Sequence, residues 1–296
     1  MKIIDIHTHG ISGYDTRTTL GEHILEISRI HGALGVDEII PTLYASPVPV
    51  MRQQMAVIRE AMDQQEQVQR DSAPASGAHG PARIIGVHLE GPFLNPARCG
   101  SLNAATFLEP SEYNLNALLD GFEDIVRIVT LAPELDGAPR LITRLADGGI
   151  RVSMGHSDAT YAEAEAGFMA GARCVTHLFN AMRRFHHREP GLAGFGLMNR
   201  EVYVEIIADP FHLHPGTVDL IFGTKDLRRV IIVSDSVAGT RKDGGIHPQA
   251  LADRHGMLIG GAFSVVAAAR NLIDRGFPED DIMKTITENP GRYLAS

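Results

Sequence analysis

The chain has no tryptophan, and aromatic residues make up only 6% of its 296 positions. Stacking platforms for nucleic-acid bases are therefore scarce. Two cysteines, Cys99 and Cys174, are too few for a disulfide framework. There is no long basic run, and the formal net charge is −9. That balance argues against nucleic acid or an anionic membrane surface as partner. No apolar stretch reaches spanning length, and no signal peptide precedes Met1-Lys2, so a cytoplasmic protein is the expectation. Internal repeats and low-complexity tracts are also missing. So is a Gly-x-Gly-x-x-Gly turn after the first apolar run, which weakens a doubly wound nucleotide-binding sheet.

What is there is an alternation. With 44% hydrophobic residues, the chain can fill one large core. Apolar, β-branched runs at 2–7, 36–42, 84–90, 125–131, 150–156, 173–177, 202–208 and 229–235 read as strands. Amphipathic segments at 20–33, 50–70, 112–121, 138–148, 160–171, 191–200 and 215–222 lie between them, and a helical pair at 262–276 and 279–288 follows. Eight strand-then-helix units in order predict an α/β fold. We read it as a (β/α)8 barrel formed as a single domain over 1–296, a size usual for that architecture at roughly 250 residues plus insertions. Residues 71–81 read as a surface connection, with His79 exposed. The irregular stretch 91–110 is long for a barrel loop, and barrels keep their chemistry in the loops after strands.

Polar residues interrupt these strands at their carboxyl ends. The first ends His7-Thr8-His9, and alternate strand residues share a face, so both imidazoles project together. The third ends His88-Leu89-Glu90, the fifth Gly155-His156, the sixth Thr176-His177 and the eighth Ser234-Asp235. Any one alone reads equally as a solvated strand end or a structural hydrogen bond. Five candidate ligands and an acid on one rim point instead to a divalent-metal site. A metal lowers the pKa of water it binds to about 7 and polarises a carbonyl, while Asp235 could carry a proton to a leaving atom. The chemistry implied is hydrolysis of an amide, an ester or a related bond.

These residues resemble the amidohydrolase superfamily and, within it, the N-acetylglucosamine-6-phosphate deacetylase family. The motifs are His88-Leu-Glu-Gly-Pro-Phe93, Gly155-His-Ser157, Thr176-His-Leu-Phe-Asn-Ala-Met182, Arg188-Glu-Pro-Gly-Leu-Ala-Gly194, Ile207-Ala-Asp209, Ala267-Ala-Ala-Arg-Asn-Leu272 and Glu288-Asn-Pro-Gly-Arg292. The resemblance implies that Glu90, His156 and His177 hold the main metal, with Glu90 able to bridge. It implies that His7 and His9 hold a second ion found in some members, and that Asp235 is the catalytic acid–base and a ligand. One or two ions are implied, zinc first, with iron, manganese or cobalt compatible. Asn180, Ala181 and His212 are implied to bind a phosphosugar. Arg188 is implied to bind its phosphate, reaching into the neighbouring subunit of a homodimer. Arg183, Arg184, His186, His187 and Arg188 also form the densest basic cluster of an acidic chain, which suits phosphate or, equally, a solvated loop.

The chain departs from the family pattern in four places. Leu102 stands where the family has a histidine. Pro210 replaces a glycine before His212, with His214 an alternative for that role. After Asp235 the family's alanine-rich run becomes Ser236-Val-Ala-Gly-Thr240. The small β-domain that family members carry on both sides of the barrel is not read in this sequence. Other amidohydrolase substrates, acyl or cyclic amides, therefore remain open, as does a non-catalytic sugar-phosphate-binding barrel. His23 and His31 read as surface or structural residues of a helix, His247 and His255 as parts of a polar loop, Cys99 as a loop residue and Cys174 as core.

Overall fold

The computed structural model describes residues 1–71, 80–241 and 249–296, with Gln69 and Asp71 by backbone alone. The expectations for 72–79, including His79, and for His247 lie outside the described residues. Eight parallel strands run in sequence order around one sheet: β1 (Ile4–Thr8), β2 (Glu38–Tyr44), β3 (Val87–Glu90), β4 (Val126–Leu131), β5 (Arg151–Met154), β6 (Cys174–Val175), β7 (Tyr203–Ile207) and β8 (Val230–Val233). The sheet closes into the expected barrel where the chain leaves β8. Asp235 N–H donates to His7 O at 2.9 Å, and His9 N–H donates to Ser236 O at 2.8 Å. Deeper in this seam, the Asp5 carboxylate takes the N–H groups of His7 and Ser234.

Helices α1 (Gly21–Ala33), α2 (Val48–Asp71), α3 (Glu112–Leu119), α4 (Ala138–Asp147), α5 (Tyr161–Ala170), α6 (Gly191–Met198), α7 (Pro215–Thr224) and α8 (Val265–Asp274) follow the strands. Their starts are written locally. Thr160 and Glu163 form a reciprocal capping box on α5, Ser111 caps α3, and Ser264 caps α8. The His214 side chain accepts from Gly216 N–H ahead of Pro215 and so caps α7. That leaves His212 as the histidine available to a site.

Two apolar layers result. One lies between strands and helices and includes Ile39, Leu43, Leu89, Val129, Leu192 and Phe195. The other fills the barrel with Ile6, Ile40, Ile128, Cys174, Ile207 and Val233. Tyr293 packs into this inner layer from α10 (Glu288–Ala295). Between Asp5 and Thr8 the register of β1 against β2 slips by one residue. This bulge lets Ile6 and the His7–His9 pair face the interior together.

The structure departs from the sequence reading locally. The third run is split into Arg83–Ile84 and Val87–Glu90, because Gly86 turns at φ +148° between them. The expected strand 173–177 keeps ladder pairing only at Cys174–Val175. A hairpin of Gly10–Ile11 with Tyr14–Asp15 was not expected. The terminal pair of helices is three, since α9 (Glu279–Ile286) stops at Thr287 and α10 starts anew.

Candidate metal centre

The strand ends converge as two contiguous groups, His7–His9–Asp235 and Glu90–His156–His177. Glu90 Oε1 lies 3.0 Å from His156 Nε2 and 3.1 Å from His177 Nε2. The same carboxylate faces the other group, with Oε2 at 3.3 Å from His9 Nε2 and Oε1 at 3.6 Å from His7 Nε2. Asp235 Oδ1 stands 3.4 Å from His7 Nε2 and 3.3 Å from His9 Nε2. Asp235 is the most open of the six, with a 13% exposed side chain against 6% or less for the rest, so it borders the pocket.

All four imidazoles present Nε2 to the centre, and three are held through Nδ1. His9 Nδ1 donates to Thr42 O at 3.0 Å, and His156 Nδ1 donates to Arg98 O at 3.0 Å. His7 Nδ1 meets the Glu205 carboxylate at 3.1 Å. A hydrogen bond at Nδ1 fixes the tautomer that leaves a lone pair on Nε2 for a metal, and a carboxylate partner makes that nitrogen more basic. Nitrogen and carboxylate donors in this arrangement fit a divalent cation.

The electrostatics agree. Burial alone would push the His7 imidazole down, but Asp235, Glu205 and Glu90 outweigh it and raise it to about 10. His9 and His177 are likewise raised against burial by the carboxylates around them. Burial would raise Glu90 and Asp235, yet the histidines hold both below their ordinary values. Such a cluster is built to surround positive charge. His88 differs: burial drives it well below its ordinary value, and it spans Ile6 O and Thr130 Oγ1 as a structural link.

Backbone strain concentrates here. His156, His177 and Asp235 have φ of +47°, +30° and +45°, and Ala181 has φ +49°. Left-handed geometry costs a non-glycine residue roughly 1–2 kcal/mol. The side chains of the first three are aimed at the centre by this turn out of the ladder. Behind Asp235, Gly260 and Gly261 allow a close crossing. A Cβ at Gly261 would stand 1.9 Å from Ser234 O.

A pocket of about 250 Å³ opens on the centre, lined by His9, Glu90, His156, His177 and Asp235 and also by Leu102, Asn180, Ala181 and His212. His212 Nδ1 meets the Asp209 carboxylate at 2.9 Å, which turns Nε2 to the pocket. Asp209 also takes the N–H groups of Phe211, His212 and Ala262. The turn is thus made by a side chain, and the N–H that Pro210 lacks is not needed. Of the sequence candidates, Arg188 is the one that the fold brings neither to the pocket nor to the two ligand groups. It is exposed and pairs with His187 Nε2 at 2.9 Å. His23 is part-buried against Thr18, His31 is buried against Thr8, and His255 is exposed. Cys99 is part-buried, and Cys174 is core.

Glu205 and Asp209 were given no role from the sequence. The signal for Glu205 was a single carboxylate amid Tyr203, Val204, Ile206 and Ile207. No apolar strand can bury such a group on either face without a partner.

No family model matches the chain. It is 30% identical over 301 residues to N-acetylgalactosamine-6-phosphate deacetylase of Escherichia coli O157:H7, covering 98% of this chain and 76% of that one. It is 31% identical over 306 residues to N-acetylglucosamine-6-phosphate deacetylase of Rattus norvegicus, covering 99% and 70%. The chain belongs to the N-acetylglucosamine-6-phosphate deacetylase family. Of the Vibrio furnissii and Bacillus subtilis members it spans less, 57% and 59% of their length. The fold of the family is shared throughout. The Mycobacterium smegmatis deacetylase, solved in complex with N-acetyl-D-glucosamine-6-phosphate, superposes with a TM-score of 0.83 at 27% identity, over 99% of this chain and 77% of that one.

Proposed function

We propose that this chain is a metal-dependent deacetylase that hydrolyses the amide of an N-acetyl amino-sugar phosphate, N-acetylglucosamine 6-phosphate foremost, to the free amine and acetate. The observation that carries this reading is Glu90, whose carboxylate faces both histidine groups while Asp235 closes them on the pocket side. Glu90, His156 and His177 would hold one divalent ion, and His7, His9 and Asp235 a second. Zinc suits these donors, and iron, manganese and cobalt suit them too. When bound, such ions supply acidified water and polarisation of a carbonyl.

The protein's own groups do the rest. Asp235 takes the proton of the attacking water and returns it to the amine nitrogen as the acyl C–N bond breaks and the acyl C–O bond forms. His212, oriented by Asp209, offers Nε2 to a sugar hydroxyl. Asn180 and the strained Ala181 backbone grip the phosphorylated end. Arg188, exposed on its loop, reaches the phosphate in the neighbouring subunit of a homodimer. Leu102 has no donor for a carbonyl, and an ion held by His7 and His9 would supply that polarisation instead. The barrel serves as a single catalytic domain over 1–296, working in the cytoplasm. Retention of every ligand type and of Asp235 speaks against a purely binding role.

The test is acetate release from N-acetylglucosamine 6-phosphate by wild type and Asp235→Asn. Loss of a general acid–base should lower kcat by about 10³-fold, with the protein still folded. Turnover by the variant within tenfold of wild type would contradict the assignment.

A further inference from the structure

One imidazole of the centre is held differently from the rest. The His9 ring lies face to face with the Tyr44 ring, centroids 3.9 Å apart at 15°. His7 meets His9 edge-on at 66°, and His156 meets His177 edge-on at 82°. The Arg17 guanidinium covers the opposite face of Tyr44 at 4.3 Å. Arg17 is in turn gripped by Asp15, with Nε donating to Oδ1 and Nη2 to Oδ2, both at 2.9 Å. Asp15, Arg17, Tyr44 and His9 thus form one column, of which only the inner end belongs to the ligand groups.

The column is delivered by the hairpin of Gly10–Ile11 with Tyr14–Asp15, in which the chain turns back directly after His9. Gly10 permits the turn, since a Cβ there would stand 2.2 Å from Tyr14 O. On the return, Thr16 N–H donates to His9 O and Thr16 Oγ1 donates to Thr42 O, both at 2.8 Å. Thr42 O is also the acceptor for His9 Nδ1. The hairpin is tied as well to the segment after Asp235. Ser12 N–H donates to Thr240 O at 2.8 Å, and Gly13 N–H donates to Ala238 O at 2.7 Å. A hydrogen bond at Nδ1 fixes the direction of that nitrogen but lets the ring swing about the bond. A parallel ring against its face removes the swing. An imidazole that carries a cation is electron-poor, and the face of a phenol ring is negative, so the stack favours the metal-bound form. The guanidinium would oppose a second positive charge through the ring, and the Asp15 carboxylate cancels it. We propose that the hairpin and its Asp15–Arg17–Tyr44 column are a positioning device that preforms the His7–His9–Asp235 group for its ion. The proposal rests on the assignment of those three residues to a second ion.

The experiment titrates metal-free protein with cobalt(II), followed by the visible bands of the bound ion, which report its ligand geometry. The binding step that His9→Ala removes is that of the second ion. Tyr44→Leu, which keeps an apolar side chain and removes the ring, should weaken this step by about tenfold or more and alter its bands, with the other step unchanged. Tyr44→Phe should restore both affinity and bands, because the ring and not the hydroxyl makes the stack. Arg17→Met, on the exposed side of the column, should weaken the same step by about threefold. If Tyr44→Leu does not fold, Arg17→Met carries the test. A second step unmoved in Tyr44→Leu and in Arg17→Met would overturn the device and leave the two-ion assignment intact. Tyr44→Phe binding as weakly as Tyr44→Leu would assign the effect to the hydroxyl and overturn it too. A wild type from which His9→Ala removes no step would overturn both.

Discussion

His7 differs from His9 and His156 in what holds its Nδ1: the fully buried Glu205 carboxylate rather than a carbonyl oxygen. A neutral amide in place of that carboxylate keeps the shape and removes the charge. Glu205→Gln should therefore leave the fold intact and weaken metal affinity at the His7–His9 group by 10- to 100-fold, on the order usual for such outer partners. Metal titration of the purified variant reads this directly, and an unchanged affinity would mean that Glu205 only fills space. His31 acts on stability instead. Burial pushes its imidazole from 6.5 down to about 4. The native state keeps it neutral, while the unfolded chain takes up a proton as pH falls below 6.5. The unfolded state thus binds more protons between those values, so the contribution of His31 is complete above 6.5 and is lost toward pH 4. It amounts to about 3 kcal/mol. In urea melts at about pH 7 and about pH 5, wild type should lose more stability than His31→Gln; equal losses would set this aside.

At the scale of elements, the site depends on how the chain leaves each strand. The close crossing of Gly261 over Ser234 fixes the turn that presents Asp235, and Gly261 N–H donates to Asp235 O at 2.7 Å. Gly261→Ala should force the two segments apart, cost on the order of 2–4 kcal/mol and lower activity. A melting curve and turnover like those of wild type would show that the crossing yields freely. The 91–110 loop is pinned similarly. Asn95 donates to Glu134, Arg98 pairs with Asp158, and Glu134 in turn accepts from Ser157 Oγ. These links bring Arg98 O to His156. The strand ends were legible in sequence because an apolar run followed by His, Glu or Asp is a local pattern. The links were not, because Glu134 and Asp158 look like ordinary loop acids until the loops meet. The bulge in β1 was hidden for the same reason, since it is a relation between two strands.

For the whole molecule, the order of eight strand–helix units was readable because each unit buries one face on the next. The closure of β8 on β1 followed from the same order. The centre was readable because four strand ends besides the first carried ligand-type residues at the same relative place. The role of Glu205 was not, because it is a partner choice made across the barrel. The proposed activity requires that the two groups joined by Glu90 act as a single metal-dependent centre. The most direct measurement is acetate release from N-acetylglucosamine 6-phosphate by protein stripped with a chelator and then reloaded with one divalent metal at a time. Stripped protein should release no acetate and reloaded protein should regain release, together with a rise in melting temperature as the folded state alone binds the ion. Undiminished turnover by stripped protein, or no release with zinc, iron, manganese or cobalt, would contradict a metal-dependent centre.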